Sequence, residues 1–277
     1  MGAPAGMWQR DEAACARYES CSVRHLLSPW AGELLERVEP LRDARVLDLA
    51  CGTGLMARLA SPLVGAGGAI TGIDGLESML SVARRLPAPP GARIEWLHGD
   101  AARLPAAGAM FDIVLCHEAL QFFPDRGAAL REVRRVLKPG GRLAFGMWNC
   151  IERQPYFEAL AIATERHLGK EAGDFQRAAC ALCDPQEIAA LFARAGFASA
   201  LVQRLRKEVH LPPAAEFPAE HLASTSLAAP FAGLEPGRRA ALLAEIEQSL
   251  APYRDASGIS VPFEIHLVSW PTRAAGG

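Results

Sequence analysis

The chain has 277 residues, of which 50% are hydrophobic and 22% charged, so its composition is that of an ordinary soluble globular protein. A formal net charge of -2 provides no bulk positive field for binding a nucleic-acid backbone or an anionic membrane. The sequence has neither an apolar run of about 18 residues nor a basic and apolar leader, so we expect a cytoplasmic protein with no membrane partner.

The seven cysteines are scattered along the chain. An odd number in a chain of this size indicates reduced thiols rather than a disulfide framework. Cys180 and Cys183 form a CxxC pair, but no second CxxC or HxxxH follows it, so we predict two helix-borne thiols and no metal site.

Apolar, strand-like runs alternate with amphipathic helical segments between about residues 30 and 150. Because these runs are apolar on both faces, they predict an α/β fold with a doubly wound, mostly parallel sheet. The predicted order is helix 30–39, strand 44–50, helix 54–63, strand 69–74, helix 76–86, strand 93–100, strand 111–120, helix 126–137 and strand 141–149.

The pattern changes after residue 150. Segment 152–183 is predicted to be helical and irregular, and DPQEIAALFARAGF predicts a capped helix that ends at Gly196. Strands are predicted at 200–211 and 263–270, and we expect them to form an antiparallel hairpin at the sheet edge, interrupted by helices. The predicted domains are an N-terminal helical lid at 1–40, a Rossmann-like core at 41–150, a helical cap at 151–184, and a C-terminal completion of the seven-stranded sheet at 185–277 with a helical insertion at 213–257.

The stretch VLDLACGTG at 46–54 places a glycine turn at the carboxyl edge of the sheet, where α/β proteins bind ligands. Gly52 and Gly54 let the backbone approach a ligand, and with Asp74 about 20 residues on they also fit a dinucleotide fingerprint. Asp48 argues against a dinucleotide, since a fixed negative charge would repel a pyrophosphate and attract an ammonium group. The helix N-terminus would still bind a carboxylate. The site therefore predicts an amino acid attached to a nucleoside, and S-adenosylmethionine has that composition.

Five motifs in order resemble those of class I S-adenosylmethionine-dependent methyltransferases, in particular the small-molecule enzymes grouped with the ubiquinone/menaquinone C-methyltransferases. The motifs are DLACGTG at 48–54, GIDGLESML at 72–80, HGDAARLP at 98–105, FDIVLCHEALQFFPD at 111–125 and LREVRRVLKPGGRLAF at 130–145. The resemblance implies the Rossmann-like methyltransferase fold with helical cap insertions.

The resemblance also implies a role for individual residues. Asp74 would accept hydrogen bonds from the ribose, and Asp100 with Ala101 would contact the adenine. As catalytic candidates we take His117, a general base or a cofactor ligand, and Tyr18, whose ring would face the sulfonium. The expected cofactor-binding residues are Asp48, Ala50, Gly52, Gly54, Asp74, Gly75, Met79, Asp100, Ala101, Cys116 and Gln121. The expected substrate pocket contains Trp8, His25, Phe122, Trp148, Asn149 and Tyr156.

Methyl transfer from a sulfonium is an in-line displacement that depends on alignment and on exclusion of water. The expected function is transfer of a methyl group to a small, partly hydrophobic metabolite, with no nucleic-acid partner. One alternative is attack on the aminocarboxypropyl carbon, by transfer or by cyclisation with release of methylthioadenosine. Others are an NAD-dependent oxidoreductase, which Asp48 and Asp100 disfavour, and a protein that binds the cofactor without turnover. The sequence specifies neither the acceptor nor the oligomeric state.

Overall fold

The computed structural model describes residues 11–271. It contains a seven-stranded sheet with the strands β1 Arg45–Leu49, β2 Ala69–Asp74, β3 Arg93–His98, β4 Phe111–His117, β5 Leu137–Trp148, β6 Leu201–Leu211 and β7 Ile259–Trp270. Their order is β3-β2-β1-β4-β5-β7-β6, and β7 is antiparallel to both of its neighbours while the other pairs are parallel. This topology confirms the predicted doubly wound, mostly parallel sheet and its antiparallel hairpin.

Helices cover both faces of the sheet and its carboxyl edge. They are α1 Glu12–Tyr18, α2 Ser28–Arg37, α3 Leu55–Val64, α4 Glu77–Arg85, α5 Arg126–Val136, α6 Pro155–Leu168, α7 Lys170–Ala178, α8 Pro185–Arg194, α9 Phe217–Ala223, α10 Ala228–Ala232 and α11 Pro236–Ser249. Short 3-10 turns lie at Leu120–Phe122, Ile151–Arg153 and Ala251–Tyr253. Within the described chain, no helix is long and apolar enough to cross a membrane.

The strand β5 begins at Leu137, four residues earlier than the sequence predicted. Leu137 pairs with Phe111 before the register shifts, and regular pairing resumes at Ile113 with Arg142. The stretch KPGG at 138–141 therefore forms an irregular first part of the strand.

Two cores lie on opposite faces of the sheet because alternate residues of each strand point to opposite sides. Val46 and Ile113 belong to the core that packs under α2, α3 and α6, which also contains the fully buried Trp30. Leu47 and Val114 belong to the other core, which packs under α5 and α8. The same alternation decides which residues at the strand ends can reach a ligand.

A π-helical segment, Glu19–Leu27, joins α1 to α2. Pro29 lies in the first turn of α2 and has no backbone N–H to donate, so it interrupts the normal helical hydrogen-bond pattern. Ser28 donates to the carbonyl of Val23 from both its backbone nitrogen and its Oγ, the latter at 2.7 Å. The widened turn brings Tyr18, Ser22 and Leu27 onto the carboxyl edge of the sheet.

Candidate functional site

Two adjoining cavities lie at the carboxyl ends of β1, β2 and β4. The larger one, here called the main cavity, has a volume of about 480 Å³, and the smaller one, the side cavity, about 390 Å³. Both volumes are in the usual range for small-molecule sites. The two cavities share the wall residues Ala50, Asp74, Gly75, Phe123 and Pro124.

The carboxylate of Asp74 holds two loops together between these cavities. Its Oδ2 accepts a hydrogen bond from the Gly52 amide at 2.7 Å, and its Oδ1 accepts one from the Leu76 amide at 2.8 Å. Asp74 therefore fixes the glycine turn after β1 to the loop after β2, in addition to any contact with a ligand.

The glycine turn next to Asp74 contains backbone in the left-handed region. Ala50 has φ of +54° and Gly52 has φ of +56°, and a side chain is disfavoured in that conformation. A Cβ placed on Gly52 would lie 3.7 Å from Cε1 of Tyr18, so the tyrosine ring lies directly over this glycine. The glycine turn is thus enclosed between Asp74 and the N-terminal helices.

Asp48 is 2% exposed and lies under the turn rather than on a cavity wall. Its Oδ2 accepts a hydrogen bond from the Ala57 amide in the first turn of α3, at 2.9 Å. Burial raises the pKa of this carboxyl to about 7. Asp48 accordingly supports the start of α3, whereas the sequence argument had placed its charge beside the ligand.

A hydrogen-bonded latch connects the π-helical segment to the glycine turn. Glu19 Oε1 accepts a hydrogen bond from Arg58 Nη2 at 2.6 Å, and Glu19 Oε2 accepts one from Thr53 Oγ1 at 2.5 Å. Arg58 also donates to the Thr53 carbonyl. The latch keeps the N-terminal helices closed over the main cavity.

His117, at the end of β4, lines the main cavity but directs neither ring nitrogen into it. Its Nε2 donates to the carbonyl of Leu27 at 3.0 Å, while Nδ1 is buried and has no hydrogen-bond partner in residues 11–271. A Cβ placed on Gly146 would lie 3.0 Å from Nδ1, so this nitrogen faces the neighbouring strand. Burial lowers the pKa of His117 to about 4, and the imidazole is therefore neutral near pH 7.

Glu118 follows with a left-handed backbone, φ of +54°, and a buried side chain. Its Oε2 accepts hydrogen bonds from the Trp148 amide at 2.6 Å and from Gln121 Nε2 at 3.2 Å. Burial raises the pKa of this carboxyl to about 8, so at neutral pH it is mostly protonated.

The proton of Glu118 belongs on Oε1, because Oε2 already accepts two hydrogen bonds. Oε1 is buried, has no hydrogen-bond partner in the described chain, and lies 3.6 Å from the Cβ position of Gly146. His117 Nδ1, an acceptor without a hydrogen-bond partner in the described chain, lies 3.0 Å from the same Cβ position of Gly146. Neither of these two atoms makes a hydrogen bond within the described residues, to the other or to any third group.

The far end of the main cavity is walled by aromatic rings from the cap helices, including Phe157 and Phe175. His221 stacks between Tyr156, at 5.5 Å and 25°, and Phe217, at 6.0 Å and 18°. The Tyr156 hydroxyl pairs with His221 Nδ1 at 3.0 Å. These contacts hold an apolar, ring-lined chamber in a fixed shape.

The structure brings together many of the residues that the sequence singled out. Those on the main cavity are Tyr18, Ala50, Gly52, Asp74, Gly75, Met79, His117, Phe122 and Trp148. Asp100 and Ala101 line the side cavity. The expected residues that line neither cavity are Asp48, Gly54, Cys116, Gln121, His25, Asn149 and Tyr156. Trp8 lies outside the described residues.

Three of the expected cofactor residues lie behind the wall of the site. Gly54 starts α3 with its α-carbon against Trp96, where a Cβ would come within 2.2 Å of the indole. Cys116 belongs to the α5 and α8 core, because its side chain alternates away from the cavity. Gln121 is 2% exposed and is hydrogen-bonded to Glu118.

The remaining expected pocket residues line neither cavity, because each side chain contacts other parts of the protein. His25 packs edge-on against Phe217 at 5.4 Å. Asn149 turns to the other side and donates to Glu264 Oε2 at 2.9 Å, next to a separate groove. Tyr156 is fully buried and supports the chamber through His221.

Sequence reasoning missed several cavity residues on the cap helices. Gln176, His221 and Thr225 all line the main cavity. They lie on α7, on α9 and just after α9, and no local motif marks them, since their position depends on how the caps pack on the sheet.

Several known proteins with a similar sequence or fold are methyltransferases. The family model described as "Methyltransferase domain" matches residues 47–145. Demethylmenaquinone methyltransferase of Lactococcus lactis is 31% identical over an alignment of 191 residues that covers 63% of this chain and 74% of the relative. The 2-phytyl-1,4-naphthoquinone methyltransferase of Thermosynechococcus vestitus is 33% identical over 61% of this chain and 78% of its own.

Among solved structures, a phosphoethanolamine N-methyltransferase of Haemonchus contortus in complex with S-adenosylhomocysteine has the same fold. Its TM-score is 0.57 at 18% identity, over 94% of this chain and 58% of that one. The chain belongs to the class I S-adenosylmethionine-dependent methyltransferases, in the group that contains the quinone methyltransferases. Its cofactor is S-adenosylmethionine.

The two cavities fit this cofactor. They meet at the Asp74 carboxylate, so a nucleoside in one and an amino-acid arm in the other would share that residue. A Cβ placed on Gly75 would find its nearest atom, the Gly99 carbonyl oxygen, at 3.7 Å, which leaves the shared wall uncrowded.

The latch at Glu19 gives a first prediction. We expect Glu19→Gln to weaken S-adenosylmethionine binding about threefold, ~0.7 kcal/mol, since the ion pair with Arg58 that keeps the helices closed is lost. The side chains of this pair are 22% and 17% exposed. Titration calorimetry measures the change. Glu12→Gln is the control, because Glu12 of α1 also ties the N-terminal helices to the core, through Arg85 of α4, but in a far more exposed position. An equal effect of both variants would contradict a specific latch.

Proposed function

We propose that the protein transfers a methyl group from S-adenosylmethionine to a small, partly hydrophobic acceptor that carries a ring. The main support is the extent of the main cavity, which runs from the glycine turn at Gly52 to the aromatic chamber at Phe157 and Phe175. A cofactor arm and a separate acceptor can therefore occupy one continuous cavity. When bound, the cofactor supplies an electrophilic methyl group.

In this proposal the cofactor is held by the ends of the first three strands. Asp74 accepts hydrogen bonds from the ribose hydroxyls, and Asp100 with Ala101 contacts the adenine in the side cavity. Gly52 and Ala50 approach the methionine arm by their backbone, while the Tyr18 ring covers it. Asp48 contributes indirectly, by holding the first turn of α3.

The hypothesis of His117 as general base has little support from the geometry. One ring nitrogen is committed to Leu27 and the other faces Gly146. We propose instead that His117 and Glu118 form the rigid floor of the main cavity and join the N-terminal helices to β5. The helices of the lid and of the cap segments then exclude water from the transfer.

The names of the similar proteins and the aromatic chamber both support a ring compound as the acceptor. The similar proteins act, by their names, on demethylmenaquinone and on 2-phytyl-1,4-naphthoquinone, which are fused-ring quinones. A chamber with walls of Phe157, Phe175 and Trp148 is suited to a flat apolar ring of this kind. We propose a hydroxylated ring as the acceptor, such as the reduced form of a quinone, whose oxygen or ring carbon attacks the methyl group and loses a proton.

Attack on the aminocarboxypropyl carbon has less support. Cyclisation needs no acceptor and would fit a pocket closed around the cofactor alone, whereas the main cavity continues past Trp148 into the chamber. Product identity separates the two reactions.

The test is to titrate the purified protein with S-adenosylmethionine and then to incubate it with a panel of rings, including reduced 1,4-naphthoquinone, 1-naphthol and catechol. We expect the intact cofactor to bind, with S-adenosylhomocysteine and a methylated ring formed once an acceptor is added. Methylthioadenosine above the spontaneous background would favour the alternative reaction. Binding with no product from any ring would contradict the proposed acceptor class.

A further inference from the structure

Gln176 has an unusual position for a polar side chain. It lies near the end of α7 and lines the aromatic chamber together with Phe175, and it is 3% exposed. A buried amide usually has hydrogen-bond partners for both of its terminal atoms.

The amide nitrogen of Gln176 has no such partner. Nε2 is buried and makes no hydrogen bond within residues 11–271. An unsatisfied buried donor is costly, and the Gln176 side chain lies on the cavity wall, so a rotation that turns the nitrogen into the chamber would let a ligand complete the missing hydrogen bond. A half-turn of the terminal amide exchanges its nitrogen and oxygen and can present either one to the chamber.

The hydroxyl groups of Ser22 and Thr225, at this end of the cavity, already have hydrogen-bond partners in the protein. Thr225 Oγ1 donates to the Leu222 carbonyl at 2.9 Å and accepts from the Leu227 amide at 3.1 Å. Ser22 Oγ lies 3.0 Å from Ser224 Oγ. At the chamber end, the Gln176 amide therefore has an unmet hydrogen bond, whereas the other unmet atoms of lining residues, His117 Nδ1 and Glu118 Oε1, lie beside Gly146.

The charge of the cavity wall limits what the ligand can be. Among the described residues, the lining of the main cavity includes no lysine and no arginine, and its ionisable acids are Asp74 and Glu118. A carboxylate or phosphate would find no cationic partner there. A neutral oxygen on an apolar ring matches both the walls and the amide.

We propose that Gln176 selects the acceptor by donating a hydrogen bond from Nε2 to a neutral oxygen, a carbonyl or a phenolic hydroxyl, on a flat apolar ring. The inference rests on the proposed function and deepens it, because it assigns recognition of the acceptor to a residue of the cap. A site built to hydrogen-bond an oxygen rejects the analogue that lacks it.

Binding of ring probes to the protein saturated with S-adenosylhomocysteine tests this assignment without turnover. The probes are 1-naphthol and 1-tetralone, which carry a hydroxyl and a carbonyl, and 1-methylnaphthalene, in which a methyl group replaces the oxygen. We expect wild type to bind the two oxygen probes at least tenfold more tightly than 1-methylnaphthalene. Gln176→Leu should weaken the oxygen probes about tenfold and leave 1-methylnaphthalene unchanged, so that the preference disappears.

Gln176→Met serves as a second variant of similar shape if leucine disturbs the packing of α7, and thermal unfolding checks both. Gln186→Leu is the matched control, since Gln186 is exposed on α8 and should keep the wild-type preference. A preference for oxygen that survives in both Gln176 variants would overturn the proposal, as would a wild type that binds all three probes equally or binds none. Failure to bind S-adenosylhomocysteine would instead count against the proposed function.

Discussion

Asp74→Ala is expected to weaken binding of S-adenosylmethionine about a hundredfold, ~2.7 kcal/mol. The substitution removes the proposed hydrogen bonds to the ribose and also the bracket that holds the Gly52 and Leu76 amides. Both losses act on the same proposed site, because the amides that Asp74 releases belong to the two loops on either side of it. Titration calorimetry with S-adenosylmethionine and with S-adenosylhomocysteine measures the effect.

One further variant and one control accompany this measurement. Asp74→Asn keeps one side-chain oxygen as an acceptor, so we expect an intermediate loss. Asp112→Ala is the control, since Asp112 lies in β4 at the opposite edge of the sheet, where it pairs with Lys138 at 2.8 Å. Cofactor affinity within a factor of three of wild type in Asp74→Ala would remove Asp74 from the site.

Glu118→Gln is expected to flatten the fall in stability of the protein as the pH rises from about 5 to about 8. In wild type, burial raises the pKa of Glu118 from 4.5 to about 8. A carboxyl with a raised pKa in the folded state contributes stability that is complete below pH 4.5 and is lost as the pH rises to about 8. Between pH 5 and pH 8 this contribution falls by up to about 4 kcal/mol, at 1.36 kcal/mol per pH unit.

Glutamine is a neutral isostere of the protonated acid, so the variant has no proton to lose in this range. Urea unfolding of both proteins between pH 5 and pH 9 measures the difference in free energy of unfolding, which should grow with pH in favour of Glu118→Gln. Glu208→Gln, at an exposed position, should reproduce the wild-type profile. Parallel profiles for wild type and Glu118→Gln would show that Glu118 is ionised in the folded protein.

The sheet could be predicted from the sequence because its signals are local. Continuous apolar runs such as ARVLDLA and FDIVLCHEAL are long enough to mark buried strands, and Gly and Pro mark the turns between them. The strand ends then place Asp74, Asp100 and His117 at one edge of the sheet. Much of the cofactor end of the site follows from that edge.

The far end of the main cavity could not be predicted in the same way. Gln176 and His221 reach the cavity through the packing of α7 and α9 on the sheet, and neither helix has a motif that fixes this packing. The roles of Asp48 and His117 also depended on side-chain direction. Burial and nearby backbone groups turned Asp48 toward the Ala57 amide and His117 toward the Leu27 carbonyl.

The position of β7 has a consequence for biosynthesis. This strand comes last in the described chain, yet it lies between β5 and β6 and pairs with both. While residues before Ile259 are emerging from the ribosome, β5 has one unpaired edge and β6 has no partner in the sheet. Pairing across such a sequence distance is slow, and exposed strand edges promote aggregation. The nascent protein must therefore wait for its final strand before the sheet can close.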